Sequence, residues 1–192
     1  MTRLRWATVL TTLTLALAAC ADDEPEPRVD PTPTTSSTQS TSPSHSVTTP
    51  ASPSPPGALE HAGTEGARAF VVYFWEVVDY AQRTLDIEAL RALTMDQCEA
   101  CQGALQFLQG VIDDGGKIEG GDGTVAILDA KRLTAGSRES VSVTFDLTTT
   151  RQVVDAPGKR NDQVFPAATV RNRFVVDQLS GDWRLGLWEV LS

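Results

Sequence analysis

The apolar positions between residues 64 and 112 follow a helical period. In the first segment they recur three, one, three, one and three positions apart, as Phe70, Tyr73, Phe74, Val77, Val78 and Ala81. This spacing predicts a helix over 64–83 with a broad apolar face. A third helix is predicted from a repeat of three and four positions, as Cys98, Cys101, Leu105, Leu108 and Ile112. A short second helix is predicted between them, and we expect Thr64, Asp86 and Asp96 to cap the three helices.

Beyond residue 120 the period changes to two, which is typical of a strand with one buried face. The alternation is clearest in two runs whose apolar faces hold Val141, Val143, Phe145 and Leu147, and then Val170, Asn172, Phe174 and Val176. Ser180-Gly181-Asp182 predicts a tight turn. After it we expect Trp183, Leu185 and Leu187 on one face and Trp188 on the other. A less regular strand is predicted over 125–133 and a hairpin loop over 155–163.

The order of these elements indicates the fold class. Three helices followed by about four strands predict an α+β domain over 60–192, with the helices packed on one side of a curved antiparallel sheet. Roughly 130 residues are enough for one hydrophobic core.

The first 59 residues have a different composition. Two basic residues precede an apolar run of 14 residues over 6–19, which predicts a secretory signal peptide over 1–19. The run is shorter than the roughly 20 residues that a membrane-spanning helix needs. Over 31–56, 22 of 26 residues are Ser, Thr or Pro. We therefore expect a disordered tether over 20–59, because such a segment cannot bury enough apolar surface to offset the entropy of ordering.

Charge and histidine content exclude several classes of function. The chain has a net charge of −9, and its domain has 20 acidic and 13 basic residues with no basic run. This argues against a nucleic-acid partner. His45 and His61 lie in or beside the tether, so we expect no Ser-His-Asp or Cys-His arrangement in the domain, no metal site and no cofactor.

The segment Leu17-Ala18-Ala19-Cys20 resembles the lipobox of bacterial lipoproteins. The resemblance implies that Cys20 becomes the mature N-terminus and carries a diacylglyceryl group on its sulfur. The protein would then be extracytoplasmic and held at the cell membrane by lipid. Each buried CH₂ of an acyl chain contributes roughly 0.8 kcal/mol, so two or three chains form a lasting anchor. The alternative is an ordinary secretory signal that is cleaved elsewhere.

The domain resembles the nuclear transport factor 2-like superfamily, a cone-shaped α+β fold. The resemblance lies in the three helices and in the antiparallel meander that closes on Gly181-Asp182-Trp183-Arg184-Leu185. With its lipobox, its tether, the aromatic segment 69–75 and Cys98-Glu99-Ala100-Cys101, the chain also resembles uncharacterised lipoproteins of high-GC Gram-positive bacteria. The cone resemblance implies a cavity between sheet and helices, and it supplies no catalytic motif.

Cys98 and Cys101 are three positions apart on the predicted third helix. Their Cα atoms would be about 5 Å apart, within disulfide range. Because export favours oxidation, we predict a structural disulfide, which contributes roughly 2 kcal/mol for so short a loop. A redox-active pair is the alternative, since a C-x-x-C at a helix start can lower a thiol pKa.

The possible pocket residues are Tyr73, Asp79, Tyr80, Phe145 and Trp183. Inside an apolar cone, burial would raise the pKa of a carboxyl such as Asp79, Asp129 or Asp146 and suit it to acid–base chemistry. The alternative is that the tyrosines belong to the core and the aspartates are solvated. The aromatic side chains form either a packed core or the lining of a pocket, and they are Phe70, Phe74, Trp75, Phe107, Phe145, Phe174, Trp183 and Trp188.

These patterns together predict a membrane-anchored lipoprotein whose domain is a non-catalytic module for a partner protein or a small apolar ligand. A carboxylate-dependent isomerase, dehydratase or hydrolase is one alternative, and a structural envelope protein is another. A homodimer through the sheet is a further expectation, with an outward-facing Trp188 as a contact.

Overall fold

A computed structural model describes residues 50–135, 138–155, 157 and 162–192. The predicted signal peptide, Cys20 and the tether up to residue 49 lie outside the described residues. Within the described part, no helix is both long enough and apolar enough to cross a membrane.

In the described part of the chain, three helices come before all of the strands, which confirms the predicted α+β order. They are α1 (Thr64–Thr84), α2 (Glu88–Ala92) and α3 (Glu99–Asp113). A short 3-10 turn, Gly57–Glu60, precedes α1. The broad apolar face of α1 is buried, as its spacing predicts.

The helix caps differ in part from the prediction. Asp86 Oδ1 accepts the Glu88 N–H at the start of α2, at 3.3 Å. The N-cap residue of α1 is Gly63, so Thr64 is the first residue of the helix and not its cap. At α3 it is Cys98, whose sulfur accepts the Cys101 N–H, so Asp96 is not the cap. The helix begins later than Asp96 predicts, because Cys98 has the extended conformation of a cap residue and its sulfur accepts an N–H of the first turn.

Among the described residues, seven strands form two antiparallel sheets. The larger sheet has the order β2-β3-β6-β7, with β2 (Gly123–Ala135), β3 (Arg138–Thr149), β6 (Ala168–Leu179) and β7 (Asp182–Leu191). These are the four predicted strands. The smaller sheet has the order β1-β4-β5, with β1 (Lys117–Gly120), β4 (Gln152–Asp155) and β5 (Gln163–Phe165). Its strands have three or four residues, too few for a period of two to be recognised in the sequence.

The hydrophobic core lies between α1, α3 and the inner face of the larger sheet, where Phe70, Phe74, Phe145, Phe174 and Leu185 are fully buried or nearly so. The outer face of that sheet has ion pairs and two exposed leucines, Leu133 and Leu187. Arg171 contacts Asp146 at 2.8 Å, and Arg173 pairs with Glu189. Such exposed pairs stabilise the fold little, but they show which face meets solvent.

A β-bulge at Gly186 reverses the side-chain alternation of β7. Val176 pairs with Leu185 and Val175 pairs with Leu187, so β7 has one extra residue between them. Trp188 therefore lies on the inner face, and Leu187 is exposed. The prediction that Trp188 faces outward was wrong, because one inserted residue moves every later side chain to the opposite face.

The packed region begins before Glu60, the predicted start of the domain. The indole N–H of Trp183 donates to the Leu59 carbonyl at 3.1 Å, and the Tyr73 hydroxyl donates to the Pro53 carbonyl at 3.4 Å. These bonds use backbone carbonyls, so the Ser/Thr/Pro composition of the segment gives no sign of them.

Candidate functional site

An apolar cavity of about 220 Å³ lies between α1, α3 and the two sheets. Most of its wall is made of large apolar side chains, among them Phe74, Trp75, Val78, Phe107, Leu108 and Trp188. From the volume that one water-sized group needs, the cavity has room for roughly 15 to 20 non-hydrogen atoms. Concave apolar sites with a few polar groups are the usual form of small-molecule binding sites.

A cluster of aromatic rings supports this wall from the core side. The ring of Phe174 makes T-shaped contacts with Phe74, Phe145 and Trp188, with centroids 5.3, 4.8 and 5.6 Å apart. It also stacks on Trp75 at 6.3 Å. Aromatic pairs favour these geometries. The cluster therefore holds Trp75 and Trp188 in fixed orientations.

The aromatic side chains form a packed core and also part of the cavity wall. Phe145 and Phe174 belong to the core alone, whereas four of the set line the cavity, namely Phe74, Trp75, Phe107 and Trp188.

Trp75 has an unusual hydrogen-bonding state. The residue is only 6% exposed, and among the described residues its Nε1 is the only buried side-chain nitrogen or oxygen without a hydrogen-bond partner. The indoles of Trp183 and Trp188 do have partners, the Leu59 carbonyl and Asn172 Oδ1. A buried donor without a partner costs roughly 1–3 kcal/mol.

One edge of the cavity is polar. Gln152 Nε2 donates to Gln82 Oε1 at 2.6 Å, and Gly121 lies against this amide pair with a φ of +84°. The positive φ favours glycine at this position, and a Cβ there would lie 2.3 Å from Gln152 Nε2 and displace that amide. Thr150 Oγ1 accepts the N–H groups of Gly121 and Asp122 at 3.0 and 3.1 Å, which fixes the turn at this edge.

Asp79 holds the next residue of that turn. Its two carboxylate oxygens accept the Gly123 N–H at 3.1 and 3.2 Å. Burial raises the pKa of Asp79 to about 6, and the negative charges of Asp122 and Glu76 act in the same direction. The Gly123 N–H and the positive charge of Arg83 partly oppose the rise.

The raised pKa of Asp79 predicts a pH-dependent stability. The folded state binds this proton more tightly than the unfolded state, so the stabilisation is complete below about pH 4 and is lost as the pH rises through about 6. Asp79→Asn should therefore gain stability relative to the wild type between about pH 4.5 and pH 7.5. The gain is on the order of 1 kcal/mol, because solvent screens a half-buried carboxyl.

Urea unfolding of both proteins at the two pH values measures this difference. Asn keeps an acceptor oxygen for the Gly123 N–H, so the variant can retain this hydrogen bond while it loses the titrating carboxyl. If the stability difference between the two proteins is the same at both pH values, the raised pKa of Asp79 is contradicted.

Cys98 and Cys101 lie at disulfide distance, as their spacing predicts. The structure joins them by a disulfide at the start of α3, with Cα atoms 5.2 Å apart. Both are almost fully buried, and Cys101 lines the cavity. Burial favours a structural bond over the redox-active alternative, because reactive cysteines are at least partly exposed.

The five residues singled out as a possible pocket do not line this cavity. Tyr73 and Trp183 line a separate groove beside 55–60, and burial raises the pKa of the Tyr73 hydroxyl. Tyr80 donates to Asp86 Oδ2 at 3.1 Å, and Phe145 is in the core. Asp79 accepts the backbone N–H of Gly123 and does not line the cavity.

Helix geometry explains why the two tyrosines are elsewhere. Trp75, Val78 and Gln82 follow one face of α1, and all three line the cavity. Tyr73 and Tyr80 share a different face, roughly on the opposite side of the helix.

The other candidate carboxylates are on the surface. Asp129 pairs with Lys131 at 2.9 Å, and Asp146 pairs with Arg171, whose hydrogen bond holds the pKa of Asp146 below its usual value. In the described part of the chain, no three His, Cys, Asp or Glu side chains are grouped as metal ligands.

Sequence reasoning missed several cavity residues. Gln82 could have been found, because it is seven positions after Trp75 and shares its helix face. Gln152 and Phe165 come from strands β4 and β5, which left no recognisable pattern, so no signal in the sequence points to them.

Solved structures with a similar arrangement share little sequence with the chain. The intermembrane space region of chloroplast protein ARC6 has a TM-score of 0.49 at 15% identity, over 69% of this chain and 98% of that chain. Aln2 from a Streptomyces species has a TM-score of 0.38 at 17% identity, over 65% and 88%. A protein with a cystatin-like fold from Caulobacter vibrioides has a TM-score of 0.38 at 16% identity, over 68% and 90%. Because all three TM-scores are below 0.5, these likenesses carry no inference about function.

Sequence comparison gives a firmer result. No curated protein matches the chain. The family model described as "Family of unknown function (DUF6318)" matches residues 36–192, which include the whole described domain and the end of the tether. The chain therefore belongs to the DUF6318 family.

Proposed function

We propose that this protein is a lipid-anchored, extracytoplasmic lipoprotein whose domain holds a small apolar ligand without catalysing a reaction on it. The observation that carries the proposal is the cavity of about 220 Å³ with its aromatic wall. The lipobox-like segment ending at Cys20 supports the location. We also propose that the domain is a nuclear transport factor 2-like cone, since three helices cover one face of an antiparallel sheet with a cavity between them.

The lining of the cavity supports binding over catalysis. Among the described residues that line it, none is Asp, Glu, His, Lys or Arg, and its one cysteine is in a disulfide. General acid–base catalysis needs a titratable group within hydrogen-bond reach of the substrate.

A carboxylate-dependent enzyme is the second candidate, and the pKa of Asp79 is the observation that favours it. Against it, Asp79 does not line the cavity, and both of its oxygens already accept the Gly123 N–H.

The ion pairs on the outer face of the larger sheet support a ligand inside the domain over a partner on the sheet. Ion pairs between neighbouring strands, such as Arg171 with Asp146, occupy part of that face, and the exposed Leu187 lies beside them. Burying such pairs under a partner protein or a second copy would remove them from water, and the penalty offsets their attraction.

Filling the cavity should weaken the binding of an apolar ligand. Ala104 lines the cavity on α3, whereas Gln106 on the same helix is exposed. We expect Ala104→Phe to weaken the binding of naphthalene, an apolar probe of suitable size, by about tenfold or more, because the new ring occupies its space. The matched Gln106→Phe variant should bind like the wild type.

The measurement is a titration followed by ¹H–¹⁵N NMR chemical shifts. It uses the lipid-free mature chain, residues 20–192 with Cys20→Ser. Urea unfolding checks that both variants fold. A wild type without saturable shifts, or an Ala104→Phe variant that binds equally well, would overturn the proposal.

A further inference from the structure

Three exposed apolar side chains lie on the elements that form the cavity. Phe165 of β5 lines the cavity and is 44% exposed, which places it where the cavity meets the surface. Val170 of β6 and Val190 of β7 are 37% and 66% exposed. Single exposed apolar side chains are ordinary, whereas several beside an apolar cavity indicate a binding surface.

The register of the larger sheet places the two valines beside residues of the cavity wall. Val170 pairs with Leu147 of β3, so the two side chains lie on the same face, and Leu147 lines the cavity. Val190 is two positions after Trp188 on β7, so these side chains also share a face, and Trp188 lines the cavity. Val170 and Val190 therefore continue the inner face of the sheet from the cavity to the surface. Together with Phe165 they form an apolar rim.

The size and the charge of the surroundings limit what can cover this apolar rim. A stable protein interface buries about 800 Å² on each partner, far more than three partly exposed side chains provide. The domain has 20 acidic and 13 basic residues, so the headgroups of an anionic membrane would repel it. A ligand that lies in the cavity reaches the rim without a separate binding event, because the two surfaces are continuous.

We infer that the natural ligand has a flexible apolar chain that continues from the cavity over Phe165, Val170 and Val190. This inference rests on the proposed function, because it specifies the ligand of the same site. A compact ring compound that only fills the cavity leaves the apolar rim in water, whereas a chain covers it. Each methylene group buried in this way strengthens binding by about fourfold.

A matched pair of neutral fluorescent probes tests the chain. Prodan and laurdan have the same naphthalene head and differ in their acyl chains, which are propionyl and lauroyl. Prodan has about 17 non-hydrogen atoms, within the roughly 15 to 20 that the cavity can hold, and laurdan has about 26. Dissociation constants of both are measured by fluorescence titration of the lipid-free mature chain, at concentrations where the probes stay monomeric. We expect the wild type to bind laurdan more tightly than prodan.

Paired valine substitutions distinguish the apolar rim from other exposed valines. Threonine is β-branched like valine, so Val170→Thr with Val190→Thr keeps the shape of the rim and makes it polar. We expect this double variant to bind laurdan about 3- to 10-fold more weakly than the wild type and to bind prodan equally well. Val72 and Val164 offer the matched control, because they are 42% and 55% exposed and neither lines the cavity. Val72→Thr with Val164→Thr should bind both probes like the wild type.

The outcomes separate this inference from the proposed function. If prodan binds but laurdan binds no more tightly, or if both double variants have the same affinity for laurdan, the chain inference is overturned and the apolar binding site remains. If neither probe binds the wild type, the proposed function fails, and the inference fails with it.

A second readout uses the wild type alone. The methyl resonances of Val170 and Val190 in ¹H–¹³C NMR spectra should shift with laurdan and stay in place with prodan. Equal shifts with the two probes would contradict the inference. Sedimentation and binding to phosphatidylcholine vesicles identify the other occupants. A dimer or a vesicle complex that forms with the wild type and is lost in the rim variant would overturn the inference in favour of a second copy or a membrane.

Discussion

Replacing Cys20 with Ala should abolish acyl labelling of the protein and leave the uncleaved precursor when the variant is expressed in a bacterial host. This is the expected result because the Cys20 sulfur is the proposed attachment atom for the lipid, and alanine has no atom to replace it. The measurement is incorporation of an alkyne-tagged fatty acid, followed by gel electrophoresis of the immunoprecipitated protein. The effect should be complete rather than graded.

The matched control removes the other two cysteines. Cys98 and Cys101 are buried in the disulfide of α3, so the double variant Cys98→Ala, Cys101→Ala should be labelled like the wild type. Undiminished labelling of the Cys20→Ala variant would contradict the proposed lipoprotein anchor.

Replacing Phe174 with Ala should lower the free energy of unfolding by about 3–5 kcal/mol. Phe174 is fully buried and contacts four aromatic side chains, so its loss leaves a cavity at the centre of the core and removes several favourable ring contacts. A domain of this size has a total stability of about 5–15 kcal/mol. The variant should therefore be close to the limit of stable folding, which urea unfolding of the lipid-free mature chain measures.

Phe165 offers the matched control for this change. Unlike Phe174, Phe165 lines the cavity, lies on the short strand β5 and is 44% exposed. Phe165→Ala should cost about 1 kcal/mol or less, while it removes an apolar contact for the ligand. Equal destabilisation by the two substitutions would contradict the assignment of Phe174 to the core and of Phe165 to the rim.

The elements with a long, regular period could be predicted from the sequence. The apolar face of α1 and the alternation of β3 each continue over several turns or residue pairs, so local preference and burial agree. The spacing of Cys98 and Cys101 predicted their disulfide distance, although Cys98 is the extended residue before α3 and not part of the helix.

The cavity could not be predicted because it depends on single residues and on distant segments. One extra residue at Gly186 turned Trp188 from the predicted outer face into the wall of the cavity. The amide pair at its edge joins Gln82 of α1 to Gln152 of β4, 70 positions away. The free N–H of Trp75 can be recognised only when all of its neighbours are known.

Native mass spectrometry of the protein purified from the cells that produce it tests the central claim most directly. We expect one consistent added mass of roughly 200 to 300 Da, because the cavity has room for a compound of about that size. This mass would be in addition to the proposed lipid on Cys20. Ala104→Phe should lack that mass, and Gln106→Phe should keep it. A wild type that carries no mass beyond its own chain and lipid would contradict the claim that the domain holds a small ligand.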